Sequence, residues 1–436
     1  MITRNRNVLI DGMVAPTALE SCLDEHRQGL PRLERLRAYY EGEHAIAARR
    51  RASGLPNNQL SHGFPRYIST MAAGYLIGDP VRYAVDDDEQ RPGLRAVQRA
   101  YAHCAMDSVD AELARDASVY GKGVELVFAD LQAAPRAAAL DPCRAFVVYD
   151  DTVAHAPLFG VHYSERRGPD GAQTGYNVDV YTEDAVFHYQ AQALADVGRR
   201  APDESERHFF GGVPLVEYWN DEGERGDFEG VLSLIDAYDA LQSDRVNDKQ
   251  QFVDALLLLY GCTLETDARG RTPGQQLRED KALVLPDSEA RAEWLCKQLD
   301  EADTEVLKNA IKADIHKMSM VPDLTDEQFA GNSSGVAMRY KLLGLEQLTK
   351  IKERWFREAL RERLRLFANF LNLKGAPVLD ADAVRLVFTR SLPVNELETA
   401  QMVEKLHGIV PEEILLAQVP FVEDAERAAE QLRGEK

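Results

Sequence analysis

The chain has 436 residues with 51 Lys and Arg against 72 Asp and Glu, which gives a formal charge of −21. A length of this order accommodates roughly two to four domains, and the acidic charge excludes a protein that grips duplex DNA over its whole surface. The N-terminal residues lack an apolar core, so we expect no secretory signal. No apolar run approaches the roughly 20 residues of a membrane span. Five scattered cysteines without a C-x-x-C pair indicate buried free thiols in a reducing cytosol.

The first 120 residues are predicted to be mainly helical. Residues 16–53 carry leucines at helical intervals, and Pro31 predicts a break into two pieces. The other predicted elements of this part are a helix at Phe64–Ile77 ended by Gly78 and Pro80, a strand at Val81–Val85, an exposed acidic turn at 86–89, and helices within 92–120.

A β-rich stretch follows, in which apolar and polar residues alternate and aromatic residues are frequent. Its predicted strands are Val124–Ala129, Arg144–Tyr149, Leu158–Glu165 and a hairpin over Val178–Tyr189. Residues 191–207 are predicted to form a flexible loop tip.

Two predicted helices then flank a small insert. One long helix is expected from Gly230 to about Tyr260, and another over about Asp300–Met318, where Leu307, Ile311 and Ile315 are in line. The insert between them, residues 261–299, contains two predicted short strands, Ala282–Leu285 and Glu293–Lys297.

The longest predicted helix lies between Gly331 and Gly375. Ser333 or Ser334 can cap its start, and no proline interrupts it, so about 38 residues and roughly 57 Å are allowed. The stretch holds ten Lys and Arg against four Glu, in a chain that is acidic elsewhere. This polarity predicts a helix seated against acidic neighbours or against nucleic acid. A strand at Val384–Thr389 and short helices complete the chain.

Motifs of catalytic or ligand chemistry are weak. Gly121–Gly123 lacks the P-loop pattern and is predicted to be a helix-to-strand turn. Asp150-Asp151 and the run at 86–89 hold a cation in one interpretation and form turns and solvated loops in the one we favour. His44 and His62 are expected to be packing or surface residues. We predict no catalytic residue, no metal and no cofactor.

A series of short sequences, in order along almost the whole chain, resembles the portal proteins of tailed bacteriophages, in the branch with long non-contractile tails. They are Y-Y-E-G-E-H-A-I at 39–46, N-N-Q-L at 57–60, F-P-R-Y-I-S-T-M-A-A-G-Y-L-I-G-D-P-V-R-Y at 64–83, V-Y-G-K-G-V-E-L at 119–126, F-V-V-Y-D-D-T at 146–152, G-V-P-L-V-E-Y-W-N at 212–220, L-I-D-A-Y-D at 234–239 and N-S-S-G-V-A-M-R-Y-K at 332–341.

The resemblance implies an α+β portal fold with an α/β wing, a helical stem, a small β-containing clip and a short helical crown. The implied bounds are wing 1–229 and 335–394, stem helices 230–260 and 300–318, clip 261–299, tunnel loop 319–334 and crown 395–436.

The implied function is a structural ring of about twelve subunits at one capsid vertex, which forms the DNA channel for packaging and ejection and is not an enzyme. The implied partners are double-stranded DNA, the large subunit of the packaging motor, the neck adaptor, and the major capsid and scaffolding proteins, without a membrane. The implied location is the virion, after synthesis in the host cytoplasm. Two alternatives remain open: a metal-dependent phage nuclease, and another ring-forming neck protein.

The resemblance also implies three sets of site residues. The tunnel loop beside DNA, or alternatively a plain connector, comprises Val321, Pro322, Asp323, Leu324, Thr325, Asp326, Glu327, Gln328 and Phe329. Lys308, Lys312 and His316 stand at four-residue steps and, with Lys317, form positive rings along the channel or a solvated helix face. The clip residues expected to dock the adaptor or motor are Arg269, Arg271, Arg278, Glu279, Asp280 and Lys281. Arginines within 354–365 are expected to pair with acidic residues of adjacent subunits.

Overall fold

The computed structural model describes residues 1–53, 55–251, 256–260, 291–295, 301–324, 339–390 and 396–416, with single positions at 266, 272, 275, 419, 422, 428 and 429. The chain divides into two compact units. The larger unit comprises Met1–Glu41, Gly63–Gly230 and His316–Lys436, and the smaller comprises Gly42–His62 and Val231–Ile315.

The larger unit contains two principal sheets. The six-stranded sheet has, in spatial order, β1 (Ile2–Arg4), β7 (Ala145–Asp150), β8 (Pro157–Arg167), β9 (Gln173–Tyr181), β10 (Ala185–Ala191) and β11 (Glu204–Arg207). Its neighbours are antiparallel except β1 and β7, which run parallel. The three-stranded antiparallel sheet has the order β12 (Leu215–Trp219), β5 (Lys122–Ala129) and β6 (Pro135–Leu140).

Two further strand pairs and most of the helices complete the larger unit. The pairs are β2 (Leu9–Ile10) with β3 (Met13–Val14), and β4 (Arg82–Val85) with β15 (Val384–Val387). The helices are α1 (Pro16–Glu41), α2 (Phe64–Ile77), α3 (Arg91–His103), α4 (Met106–Tyr120), α7 (Leu343–Leu373), α8 (Glu396–Leu406) and α9 (Glu412–Leu416).

The smaller unit consists of helix α5 (Leu232–Gln251), the strands β13 (Leu256–Tyr260) and β14 (Arg291–Leu295), and helix α6 (Glu301–Ser319) as far as Ile315. The two strands pair antiparallel, Leu256 opposite Leu295 and Tyr260 opposite Arg291. A salt bridge of 3.0 Å between Arg245 and Glu305 joins α5 to α6 near this pair. The order helix, β insert, helix is the one that the sequence predicts, and the mixed α+β expectation is confirmed.

The core of the larger unit forms around α7. Phe356, Leu360, Leu364 and Phe367 are buried, as the apolar periodicity of this helix predicts. They pack in one cluster with residues of α2, α3, α4 and β12. The helix therefore connects elements that lie far apart in the sequence.

A buried ionic cluster lies beside this core. Arg363 is fully buried and donates to Asp110 at 2.5 Å and to Glu125 at 3.2 Å. The hydroxyl of Tyr218 donates to the same Glu125 at 2.6 Å. Burial works against the charge of Arg363, but Asp110 and the other acidic groups outweigh it and hold the pKa of Arg363 well above its usual value.

Two helix boundaries in the first half differ from prediction. The break at Pro31 is wrong, because α1 continues unbroken from Pro16 to Glu41. Pro31 removes the hydrogen bond to the carbonyl of Arg27, but both residues are exposed, so water can solvate that carbonyl. The helix ends where Gly42 adopts a φ of 95°, well before residue 53.

Residues 191–207 were also predicted incorrectly. They contain a 3-10 helix, Leu194–Arg199, and the edge strand β11. Val197 is fully buried in the cluster that contains Leu19 and Leu23 of α1. The polar composition of the segment concealed these apolar anchors.

The second half shows two further differences. The helix predicted through Tyr260 ends at Gln251, and Leu256–Tyr260 is strand β13 because it pairs with β14. Helix α7 has 31 residues, about 46 Å, since a turn at Leu342 separates it from the helical residues 339–341. The caps predicted at Ser333 and Ser334, and the strand at Ala282–Leu285, lie outside the described residues.

Replacing Arg363 with methionine is expected to destabilise the larger unit by about 3–5 kcal/mol, because Asp110 and Glu125 lose their buried cation. The matched control is Arg354→Met on the exposed side of the same helix, expected to change stability by less than about 0.5 kcal/mol. Urea unfolding at pH 7 measures both. Equal effects of the two substitutions would contradict a structural role for the buried cluster.

Candidate functional site

Lys308, Lys312 and His316 lie at four-residue steps on α6 and are all half-buried. Lys308 pairs with Glu305. Lys317 is exposed, without an ion-pair partner in the described part of the chain. The ring of His316 lies in the larger unit, in edge-on contact with Phe64 and Tyr67 of α2 at centroid distances of 5.8 and 5.7 Å.

The described start of the predicted tunnel loop is held against α2. His316 Nδ1 donates to the carbonyl of Val321 at 2.9 Å, and Val321 is fully buried. The hydroxyl of Tyr67 donates to the carbonyl of Pro322 at 2.8 Å and accepts from the amide of Leu324 at 3.0 Å. Residues 321–324 therefore form a fixed base for the segment that follows. Thr325, Asp326, Glu327, Gln328 and Phe329 lie outside the described residues.

In the smaller unit, one carboxylate joins two histidines. His44 Nδ1 donates to Asp239 Oδ2 at 2.5 Å, and His62 Nδ1 donates to Asp239 Oδ1 at 2.7 Å. The side chains of His44 and Asp239 are fully buried. Burial opposes the charge of Asp239, but the hydrogen bonds from His44 and His62 outweigh it and lower the pKa of Asp239. The expectation of ordinary packing or surface histidines missed this bridge.

The bridge is part of a polar face of α5 that binds the segment 42–62. Ser243 accepts from the amide of Leu60 at 3.0 Å, and Asn247 accepts from the amide of Asn58 at 2.7 Å. Asp239, Ser243 and Asn247 are all fully buried. They stand at four-residue steps on one helix face. That spacing of polar residues is the sequence signal that could have revealed the contact.

The other candidate ligand motifs are structural. Gly121 has a φ of 89° in the turn between α4 and β5, and Lys122 is buried and pairs with Glu217 at 2.8 Å. The carboxylate of Asp150 accepts from Thr152 at 2.7 Å and from Arg6 at 2.6 Å. The hydrogen bond from Thr152 is the main cause that lowers the pKa of Asp150 to about 2. Gly121 therefore forms the predicted turn, whereas Asp150 is the buried last residue of β7 and only Asp151 lies in an exposed bend.

Neither a metal-binding cluster nor a membrane-spanning helix is found among the described residues. Across the part of the chain that the structure describes, no group of three or more His, Cys, Asp or Glu side chains is placed to hold a metal ion. None of the described helices is long and apolar enough to cross a membrane. The predicted clip residues Arg269, Arg271, Arg278, Glu279, Asp280 and Lys281 lie outside the described residues.

Four of the five arginines of α7 pair with acidic residues of their own chain. Arg357 pairs with Glu353, Arg361 with Glu358 and Arg365 with Glu362 at helical spacing. For the buried Arg363, the predicted pairing across a subunit interface is wrong, because its acidic partners belong to the same chain.

Comparisons with known proteins agree with this architecture. Residues 19–436 match the family model described as phage portal protein, SPP1 Gp6-like. The chain is 25% identical over 452 residues to the portal protein of Bacillus phage SPP1, covering 96% of this chain and 86% of that protein. It is 26% identical over 263 residues to the portal protein of Clostridium phage phiCD119, covering 59% of this chain and 56% of that protein.

The fold and these matches define a structural component of a phage capsid that serves DNA packaging. The chain belongs to the phage portal protein family, SPP1 Gp6-like. The resemblance seen in the sequence is therefore confirmed, and nothing in the comparisons favours a nuclease.

Replacing Asp239 with asparagine is expected to cost about 2 kcal/mol at pH 7, because the charged acceptor for His44 and His62 is lost. A carboxylate with a lowered pKa contributes stability above its unfolded pKa of roughly 3.9 and loses it as the pH falls through the folded value. The difference between wild type and Asp239→Asn should therefore shrink below about pH 4.

The measurement is the free energy of unfolding at several pH values between 7 and 3. Asp314→Asn is the control, since Asp314 is exposed on α6 and has no hydrogen-bond or ion-pair partner within the described residues. A difference that stays constant from pH 7 to pH 3 would show that the charge of Asp239 does not stabilise the bridge.

Proposed function

We propose that the chain assembles into a closed ring at one capsid vertex, and that double-stranded DNA passes through the ring during packaging and ejection. The observation that carries the proposal is the family match over residues 19–436, which includes both stem helices, the insert and α7. The role is structural, without a chemical step. Neither the nuclease nor another ring-forming neck protein has a specific observation in its favour.

Exposed apolar side chains on α6 support ring assembly. Val306 is 69% exposed, Leu307 is 50% exposed and Met318 is 60% exposed. Large apolar side chains grouped along one helix favour contact with another protein surface. In a ring of identical subunits, the adjacent copy supplies that surface through a head-to-tail interface.

We assign the domains with bounds adjusted to the structure. The stem helices are α5 and α6, the clip is the β13–β14 insert between them, and the wing contains the two large sheets with α7. Residues 319–334 are the tunnel loop and 395–436 the crown. The clip is the part that would meet the packaging motor's large subunit and the neck adaptor, while the capsid and scaffolding proteins would meet the rest of the ring. The protein acts in the virion after synthesis in the host cytoplasm.

In this proposal the channel wall is mainly acidic, which limits adhesion of DNA phosphates. Lys308, Lys312 and Lys317 of α6 would supply weak, symmetric contacts with the duplex. We leave His316 and Val321 out of the DNA-facing set because they bond to each other inside their own subunit.

The test of the assembly is native mass spectrometry with negative-stain images of the purified chain. We expect closed rings of about twelve or thirteen subunits, because α6 needs a partner for its apolar residues. Only monomers or twofold dimers over the whole range of salt concentrations would contradict a ring.

The test of the channel charge is Lys308→Ala, Lys312→Ala and Lys317→Ala combined. Rings should form normally, but DNA retention in assembled particles should change by about twofold or more at low salt, where screening is weakest. Lys350→Ala on α7 is the control, an exposed lysine in an i,i+4 pair with Glu346. Unchanged DNA length and leakage at every salt concentration would mean that the α6 lysines do not contact the genome.

A further inference from the structure

A cavity of about 430 Å³ lies in the larger unit between β12, α7 and the residues around β7. Three aromatic side chains form its walls. The rings of Tyr149 and Trp219 lie 5.5 Å apart, and those of Trp219 and Trp355 lie 5.2 Å apart, measured between centroids. Both tryptophans are only partly buried, so their rings remain accessible from the cavity.

Four carboxylates line the same cavity: Glu217, Glu222, Glu358 and Glu362. Glu217 is already neutralised by Lys122, and it fixes the indole of Trp219 by accepting from Nε1 at 3.0 Å. Glu222 is exposed and has no ion-pair partner within the described residues. Glu358 is 66% exposed, and its one ion-pair partner among the described residues is Arg361 on its own helix. Arg225 and Arg354 line an adjoining depression with Glu222 and Glu358, but among the described residues neither forms an ion pair with them. The lining of the cavity itself therefore has more carboxylates than cations near its opening.

The environment of Glu362 also favours binding of a cation. Burial raises the pKa of Glu362, and Arg365 only partly opposes this. A carboxylate in that state is stabilised by any further cation placed beside it. Met1 also lines the cavity, but its N-terminal ammonium pairs with Glu224, which lies outside the lining.

Aromatic faces combined with carboxylates favour a cationic ligand. A guanidinium or ammonium gains cation–π attraction from Trp219 and Trp355 and charge pairing from Glu222 and Glu358. An apolar ligand would instead bury those carboxylates without a partner, which is costly. The volume admits the whole of a long basic side chain, including its methylene groups.

We propose that this acid–aromatic cavity receives a basic side chain from the adjacent copy of the chain, an inference that rests on the proposed ring. Charge complementarity supports this occupant. Arg82, Arg95 and Arg207 of the larger unit are exposed, and none has an ion-pair partner in the described part of its own chain. A head-to-tail interface brings one surface of a subunit against a different surface of the next, so cavity and arginine need not lie close within one copy.

The first arm of the test examines the chemistry of the cavity. The chain has three tryptophans, two of which line the cavity, so tryptophan fluorescence reports on its occupancy. Full-length chain, diluted until native mass spectrometry shows single subunits, is titrated with N-acetyl-argininamide and with the uncharged citrulline analogue. We expect saturable binding of the arginine compound alone.

Glu222→Gln combined with Glu358→Gln should weaken that binding by about fivefold or more. The control is Glu112→Gln, which alters an exposed glutamate in the same i,i+3 pairing with an arginine on α4, and it should leave binding unchanged. Equal binding of the citrulline analogue, or no effect of the cavity substitutions, would overturn the cation site.

The second arm examines the occupant through ring formation. The cavity double variant should lower the yield of rings relative to wild type and to Glu112→Gln. Arg82, Arg95 and Arg207 are replaced by glutamine one at a time, and one of these three variants should show the same loss of rings. If arginine binds but neither set of substitutions alters ring yield, the adjacent copy is not the occupant and the proposal is overturned. If wild type never forms rings, the ring proposal and this occupant both fail, while the first arm still decides the cavity chemistry.

Discussion

The requirement that a buried charge keeps its partners governs the larger unit of this protein. Arg363 is fully buried on α7 and is compensated by Asp110 of α4 and Glu125 of β5. Lys352, also on α7, pairs in the same way with buried Asp227. Each pair couples residues more than a hundred positions apart. Removing one partner leaves a buried charge without compensation, which costs far more than the pair itself contributes. These contacts therefore tie α7 to α4, β5 and the segment that contains Asp227.

The paired basic residues of α7 form two groups, one in buried ion pairs and one in surface ion pairs. Lys352 and Arg363 serve the interior, while Arg357, Arg361 and Arg365 pair with glutamates three or four residues away on the surface. Surface pairs of this kind contribute little to stability, on the order of 0.3–0.5 kcal/mol each. Among the positive charges that mark the helix in the sequence, Lys352 and Arg363 are matched by acidic residues of neighbouring elements of the same chain, and the surface arginines by glutamates of the helix itself.

Periodicity and resemblance predicted much of the fold, for reasons visible in particular residues. The stripe of Phe356, Leu360 and Leu364 predicted α7, and the order of helix, insert and helix was predicted for α5, the β13–β14 pair and α6. The run of leucines before Tyr260 is compatible with helix or strand, and only its pairing with β14 decides. The bridge of His44 and His62 through Asp239 depends on chain segments about 180 to 195 residues apart. The four-residue spacing of Asp239, Ser243 and Asn247 marks a polar face of α5 but does not identify the segment that binds it, so this site was missed.

A ring of this chain must also overcome its own charge. Each subunit carries a formal charge of −21, so every interface brings two acidic molecules together. In the proposed ring, contact through the exposed Val306, Leu307 and Met318 of α6 would supply attraction that does not depend on charge. Apolar attraction alone does not determine which surfaces of two subunits meet. A cavity in which aromatic walls accompany Glu222 and Glu358 accepts a cation in one place and one direction. The exposed arginines of such an acidic protein are the groups that can offset the repulsion between adjacent subunits and fix the register between them.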